Sequence, residues 1–208
     1  MTPASAGRRT RAVIFDVGNV LYDWNLRQFF EKLVPARELE LFLRDVVNLD
    51  WHSQHDAGRP FAETSAELIA GWPRFADAIR AFGPRFSETV TGLLPGMGDI
   101  VRDLHGRGVP LYAITNFSHE FWPPFRAREA AVFDLFDDIV VSGDEKLIKP
   151  DRAIYHLALA RFGLTADEAI FIDDRAENVI AAEACGIHGH VFRDAADLRA
   201  RLESLRLL

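Results

Sequence analysis

Ala12-Val13-Ile14-Phe15-Asp16-Val17-Gly18-Asn19-Val20-Leu21 is the stretch whose reading decides the fold: four apolar residues run into one carboxylate, and a glycine turn follows. An apolar run of this length fits a strand buried on both faces of a parallel sheet. An ionised carboxylate is costly to bury unless it is paired or holds a metal, which places Asp16 at the strand's carboxyl end, facing a cleft. Open α/β sheets bind ligands in the crevice beyond those ends. Polar groups at the ends of further strands therefore become candidate site residues.

Outward from this stretch, residues 1–10 carry no periodicity and read as a loose tail. From Asn25, an N-cap, to about Phe86 the pattern is helical: Leu26, Phe29, Phe30 and Leu33, then Leu39, Phe42, Leu43, Val46 and Val47, recur at three- and four-residue spacings. Asp56-Ala57-Gly58-Arg59-Pro60 and Gly83-Pro84 are turn signals within it, and no strand run of comparable strength appears. After Pro95-Gly96 the pattern becomes regular alternation. Helices are expected at about 97–107, 119–130, 150–162, 176–184 and 194–206, and strands at 109–115, 138–142, 169–173 and 188–192. Strands alternating with helices predict an α/β fold with a parallel sheet. The expected organisation is a catalytic core of residues 1–22 and 92–208 with a small α-helical cap, 23–91, inserted after the first strand.

Composition bounds the function. With 208 residues, 49% hydrophobic, 26% charged and a net charge of −7, the chain has the make-up of a soluble globular protein. That charge, with no basic run beyond Arg8-Arg9, argues against nucleic acid or an anionic membrane surface as the main partner. No segment approaches the ~18 apolar residues of a membrane span, and no signal-peptide pattern is visible, so a cytoplasmic location is expected. The one cysteine, Cys185, has no activating cation beside it and reads as a small packed residue.

Each expected core strand except the last leads into a polar group suited to phosphate or a cation. Asp16 follows the first, Thr115 and Asn116 the second, Lys149 comes shortly after the third, and Asp173 and Asp174 follow the fourth. Carboxylates meeting in a cleft repel unless a cation joins them, and Mg²⁺ commonly takes one or two carboxylates plus phosphate oxygens. Lys149 supplies a point charge, Thr115 a hydroxyl donor, and the turn at Val17-Gly18-Asn19 can present backbone N–H groups as an anion nest. Singly, these residues also read as turn formers, helix caps or a solvated lysine. Their occurrence in order after four successive strands is what gives them weight.

In these motifs the chain resembles the haloacid dehalogenase-like hydrolase superfamily over nearly its whole length. Phe15-Asp16-Val17-Gly18-Asn19-Val20 is similar to its first motif, Ile114-Thr115-Asn116 to its second, Lys149-Pro150 to its third, and Phe171-Ile172-Asp173-Asp174 with Asn178 to its fourth. The helical insert is similar to the small cap of the phosphatase-rich branch, and Asp-x-Gly-Asn-Val to members acting on glucose 1-phosphate. The resemblance implies a Rossmann-like core of strand order 5-4-1-2-3. It also implies a Mg²⁺-dependent phosphomonoesterase acting on a small phosphorylated metabolite such as a sugar phosphate. Asp16 would be the nucleophile that takes the phosphoryl group. Asp16, the Gly18 carbonyl, Asp174 and Asp173 would serve the metal. Val17, Gly18, Thr115, Asn116 and Lys149 would hold the phosphate, Lys149 also acting in catalysis.

One position departs from the superfamily pattern. Most of its phosphatases carry a second Asp, the general acid and base, two residues after the nucleophile; here that residue is Gly18. General acid catalysis is typically worth 10²–10⁴-fold, so glycine there favours esters whose leaving group needs little protonation. Asp23, on the way to the cap, is a candidate substitute. The alternatives are a dehalogenase and a weakly active phosphate-binding protein. The resemblance also places the cap's specificity loop at the turn Asp56-Ala57-Gly58-Arg59, making His55 and Arg59 candidates for substrate contact beside His52. Phe117, Phe121, Trp122 and Phe125 can line the cleft or pack under the cap, and His188 and His190 share one face of the last strand.

Overall fold

The chain is described by a computed structural model covering residues 10–208; most of the expected tail, with Arg8-Arg9, lies outside the described residues. The apolar run forms β1 (Ala12–Phe15), all four residues fully buried. After the turn comes β2 (Tyr22–Trp24), then the cap helices α1 (Leu26–Phe30), α2 (Ala36–Leu41), which continues as a π-helical turn over Phe42–Val46, α3 (Leu49–Asp56), α4 (Phe61–Gly71) and α5 (Ala76–Phe82). The chain returns through β3 (Val90–Leu93) to the alternating half: α6 (Met97–Gly106), β4 (Leu111–Thr115), α7 (Trp122–Arg128), α8 (Ala130–Phe133), β5 (Asp138–Val141), α9 (Ser142–Glu145), α10 (Arg152–Phe162), β6 (Ala169–Asp173), α11 (Ala176–Glu183), β7 (His188–Val191) and α12 (Ala195–Ser204).

The main sheet has five strands in the order β5-β4-β1-β6-β7, every pairing parallel. Counting only these five core strands along the chain, this is the 5-4-1-2-3 order. Side chains of β1 alternate between the two faces. Val13 and Phe15 point into the cluster shared with α6, α12 and the cap, while Ala12 and Ile14 join Ile154, Tyr155, Ala158 and Phe171 under α10 and α11.

Two elements differ from expectation. The cap is entered and left through a short antiparallel ribbon, β2 paired with β3, where no strand was expected. Strands of three and four residues are too short to show a period of two. The helix expected to open at Pro150 starts instead at Arg152, because the Asp151 carboxylate accepts the Ala153 N–H (2.9 Å) and caps it.

The cap packs on the core through rings. Phe86 stacks on Phe121 at 4.7 Å and meets Phe117 edge-on, while Phe82 touches Trp51, Phe61 and Phe121. Phe117, Phe121, Trp122 and Phe125 are all buried in this continuous cluster. The cap loop is also pinned by polar contact: Ser142 Oγ, at the start of α9, donates to the Asp56 carbonyl (2.6 Å). Gly58 packs directly on the Gly143 carbonyl.

Candidate active site

The parallel registry brings the carboxyl ends of β1, β4 and β6 level, since Phe15 pairs with both Ala113 and Ile172. Asp16 follows β1 and its N–H donates to the Ile172 carbonyl (2.8 Å), which holds it beside Asp173 at the end of β6. Lys149 reaches in between them: its Nζ lies 2.8 Å from Asp16 Oδ1 and 2.8 Å from Asp173 Oδ2, and all three residues are buried. Desolvation alone would lower the Lys149 pKa, but the two carboxylates outweigh it and hold the ammonium above its ordinary value. Burial pushes the Asp16 carboxyl up to about 7 against the pull of Lys149.

Lys149 is held in turn by both ends of its neighbour's amide. The Lys149 N–H donates to Asn116 Oδ1 (2.8 Å), and Asn116 Nδ2 donates to the Lys149 carbonyl (3.0 Å). Asp173 is committed to the same framework, its oxygens accepting from Arg175 N–H and Asn178 Nδ2 as well as Lys149. Asp174 stands further out, half-buried, with burial first and then the Asp173 charge raising its pKa.

Carboxylate oxygens of Asp16, Asp173 and Asp174 lie within 4.8 Å of one another. Oxygen-only donors this close suit a hard divalent cation. Three acids against the single Lys149 ammonium leave negative charge for such an ion to neutralise. The residues therefore fit Mg²⁺, with Asp16 and Asp174 the more available donors because Asp173 already serves Lys149 and Asn178.

In front of the acids lies a cavity of about 340 Å³. Asp16, Val17, Gly18, Asn116, Lys149 and Asp174 line it from the core. Trp24, Leu49, Phe86, Val90, Phe117 and Phe125 give it an apolar, largely aromatic wall, and His52 and Asp56 reach it from the cap.

Several expected site residues lie elsewhere. Thr115 ends β4, buried, and is not part of the lining. The expected anion nest is partly spent: the Val17 N–H donates to Asp16 Oδ1 (2.7 Å) and the Asn19 N–H to the Tyr22 carbonyl (2.7 Å). His55 is fully buried among Trp51, Phe61 and Phe121, its Nε2 2.6 Å from Thr64 Oγ1. Burial brings its pKa down to about 4, so it is a neutral packing residue away from the lining. Arg59 forks onto Glu67 on the cap surface (2.8 Å). Asp23 accepts from Thr91 Oγ1 across the ribbon and does not line the cavity. His190 pairs with Asp197 at 3.3 Å, far along the sheet edge.

Trp24 and Asp56 are among the lining residues that escape a sequence reading. Trp24 sits on β2, and its ring packs on His52 at 4.7 Å. Asp56 reads as a turn former before Ala57-Gly58. The available signal was that His55 and Asp56 follow His52 by three and four residues, which puts three titratable groups on the helix face that continues Trp51 into the core.

The site is thus a parallel α/β core with a buried carboxylate, a buried lysine and paired acids at its strand ends, and the comparisons make it that of a hydrolase. A sequence profile of haloacid dehalogenase-like hydrolases matches residues 10–186, and the chain belongs to that family. It is 32% identical over 187 residues to the sesquiterpene phosphatase astK of Aspergillus oryzae, which covers 86% of this chain and 88% of that protein. It is 30% identical over 133 residues to the phosphoglycolate phosphatase of Yersinia pseudotuberculosis, covering 64% of this chain and 54% of that one, so the chain spans about half of that relative. The crystal structure of a HAD family enzyme from Bacteroides thetaiotaomicron superposes with a TM-score of 0.75 at 18% identity, over 94% of this chain and 99% of that one. Among the described residues no helix is long and apolar enough to cross a membrane.

Proposed function

We propose that the protein is a Mg²⁺-dependent phosphomonoesterase whose substrate is a small phosphate monoester with an apolar body. The observation that supports it best is the Asp16–Lys149–Asp173 chain opening onto a cavity beside Asp174. Asp16 Oδ1 is tied to Lys149 and the Val17 N–H, which leaves the carboxylate oriented with Oδ2 for in-line attack on phosphorus. The P–O bond to the leaving group breaks as the Asp16–phosphorus bond forms. Lys149, fixed by Asn116 and Asp173, offsets the charge carried by the phosphoryl oxygens during transfer. Water then attacks phosphorus, releases inorganic phosphate and restores the Asp16 carboxylate. Bound magnesium would neutralise the surplus acid charge and draw phosphate oxygens toward the site.

The body of the substrate meets Trp24, Leu49, Phe86, Val90, Phe117 and Phe125, a wall with more to offer hydrocarbon than sugar hydroxyls. A sesquiterpene phosphatase among the relatives agrees with that preference. The test is a paired assay with Mg²⁺, a prenyl or aryl monophosphate against glucose 1-phosphate, with Asp16→Asn alongside. Phosphate release that vanishes in the variant and a kcat/KM at least tenfold higher on the apolar ester are expected. Equal or better turnover of the sugar phosphate rejects the apolar-body assignment, and turnover persisting in Asp16→Asn rejects the nucleophile.

A further inference from the structure

Gly18 leaves the first motif without a proton donor, yet phosphate transfer from an alkyl ester requires one at the leaving oxygen. Of the acids in the cavity, Asp16 is the nucleophile, Asp174 belongs to the cation cluster, and Asp50 sits at the start of α3. Asp56 is different. It ends α3, on the cap, is 7% exposed, and its Oδ1 is buried with no hydrogen-bond partner in the protein. Its Oδ2 stands 3.9 Å from His52 Nε2, beyond hydrogen-bond reach. A buried, unpartnered carboxyl is costly, and this one is held in place by strong local contacts: the Ser142 hydroxyl on its carbonyl and the seat of Gly58 on Gly143. The fold keeps a polar group aimed into the cavity that already contains Asp16 and Lys149.

We infer that Asp56 is the general acid and base of the reaction, delivered from the cap in place of the acid missing at Gly18. This rests on the phosphatase reading above. In the first half-reaction the Asp56 carboxylic acid gives its proton to the ester oxygen as the bond from that oxygen to phosphorus breaks and Asp16 bonds to phosphorus. In the second, the Asp56 carboxylate takes a proton from the water that attacks phosphorus. The Asp16–phosphorus bond breaks, and Asp56 is again an acid. The groups facing it allow both forms. Burial and the Asp16 charge raise its pKa to about 7, Lys149 pulls the other way, and His52 on its own helix is held neutral by burial. Asp50 and Ser53 share the cavity from the same helix. Since the acid arrives with the cap, proton donation is available only where the 56–58 loop is seated on α9.

The experiment is a leaving-group series on Asp56→Asn and the wild type, in saturating Mg²⁺, comparing p-nitrophenyl phosphate with a primary alkyl phosphate. Asp56→Asn is isosteric and is checked by thermal unfolding; Asp56→Glu keeps the acid should the amide disturb the loop. The expected result is a fall in kcat/KM of about 10²–10⁴-fold on the alkyl ester, a loss at least tenfold smaller on the nitrophenyl ester, and partial recovery of alkyl turnover in Asp56→Glu. Equal losses on both esters, or none, overturn the assignment and leave the phosphatase reading standing. Absence of any Asp16-dependent phosphate release from the wild type removes that reading, and this one with it.

Discussion

Lys149 shows how much one residue can organise. Its ammonium bridges two buried carboxylates, and its backbone is clamped at both ends by Asn116. Lys149→Met leaves Asp16 and Asp173 facing each other with no counter-charge. Breaking a buried pair in this way costs about 3–5 kcal/mol, so urea unfolding of the metal-free variant should show a loss of that order. Turnover should fall at least about 10²-fold as the phosphoryl charge loses its cation. Asn116→Ala should weaken catalysis by a smaller factor with little change in KM, since the side-chain amide it removes is engaged with the Lys149 backbone and the Asn116 backbone stays in the lining. At position 18 the structure leaves room. A Cβ there would meet nothing nearer than Trp24 Cβ at 3.9 Å, and the backbone is not left-handed. Gly18→Asp should therefore fold, and if it supplies an acid it should raise alkyl phosphate turnover of Asp56→Asn by tenfold or more, read from steady-state kinetics on the double variant. Most of these residues were legible in the sequence because each follows a buried strand, where an acid or lysine has no packing reason to be. Asp56 was not, since Asp before Ala-Gly has a sufficient local explanation as a turn.

The cap's elements were legible as helices, but their seating was not. Periodicity reports which face of a helix is apolar, not which partner covers it. The ribbon of β2 and β3 joins two ends of the cap segment far apart in sequence, and neither strand is long enough to declare itself. His52 and His55 show the same gap, because the sequence allowed solvent or substrate and the structure buries both rings. Two outcomes follow for the cap. Gly58 has φ +88°, and a Cβ would come within 2.9 Å of the Gly143 carbonyl oxygen. Gly58→Ala should cost about 1–3 kcal/mol in strain and unseat the loop, so kcat on alkyl phosphates should fall more than stability does, comparing kinetics with thermal unfolding. The second outcome concerns acid. Burial brings the His52 pKa from an ordinary 6.5 down to about 3. Between those values the unfolded chain binds a proton at His52 that the folded protein refuses, so stability from this group is complete above pH 6.5 and lost as pH falls. Each pH unit in that window is worth about 1.4 kcal/mol. Relative to His52→Phe, which has no such proton, the wild type should lose roughly 3 kcal/mol between pH 6.5 and pH 4, read from urea midpoints across pH.

For the molecule as a whole, strand order and cleft are one fact. Buried parallel strands show as apolar runs whatever surrounds them, and right-handed crossovers leave few ways to arrange five of them, so the architecture was readable from the alternating half of the chain. The same arrangement concentrates charge. Closing the sheet brings Asp16, Asp173 and Asp174 to one place, their oxygens within 4.8 Å, with one lysine to offset them. That is a net electrostatic burden on the folded state which the unfolded chain, with Asp16 far from the Asp173-Asp174 pair, carries less of. A cation bound only by the folded protein should relieve it and stabilise by mass action: at a magnesium concentration a hundred times its Kd, by about 2.7 kcal/mol. In a domain of this size a kilocalorie moves Tm by roughly 2–4 °C, so saturating Mg²⁺ should raise Tm by about 5–10 °C over an EDTA control. Asp174→Asn is the discriminating variant, because Asp174 serves the cluster without holding Lys149. It should be as stable as the wild type in EDTA, or more so, and should lose most of the magnesium-dependent rise. An unchanged rise in that variant would place the ion elsewhere and separate the acid cluster from metal binding.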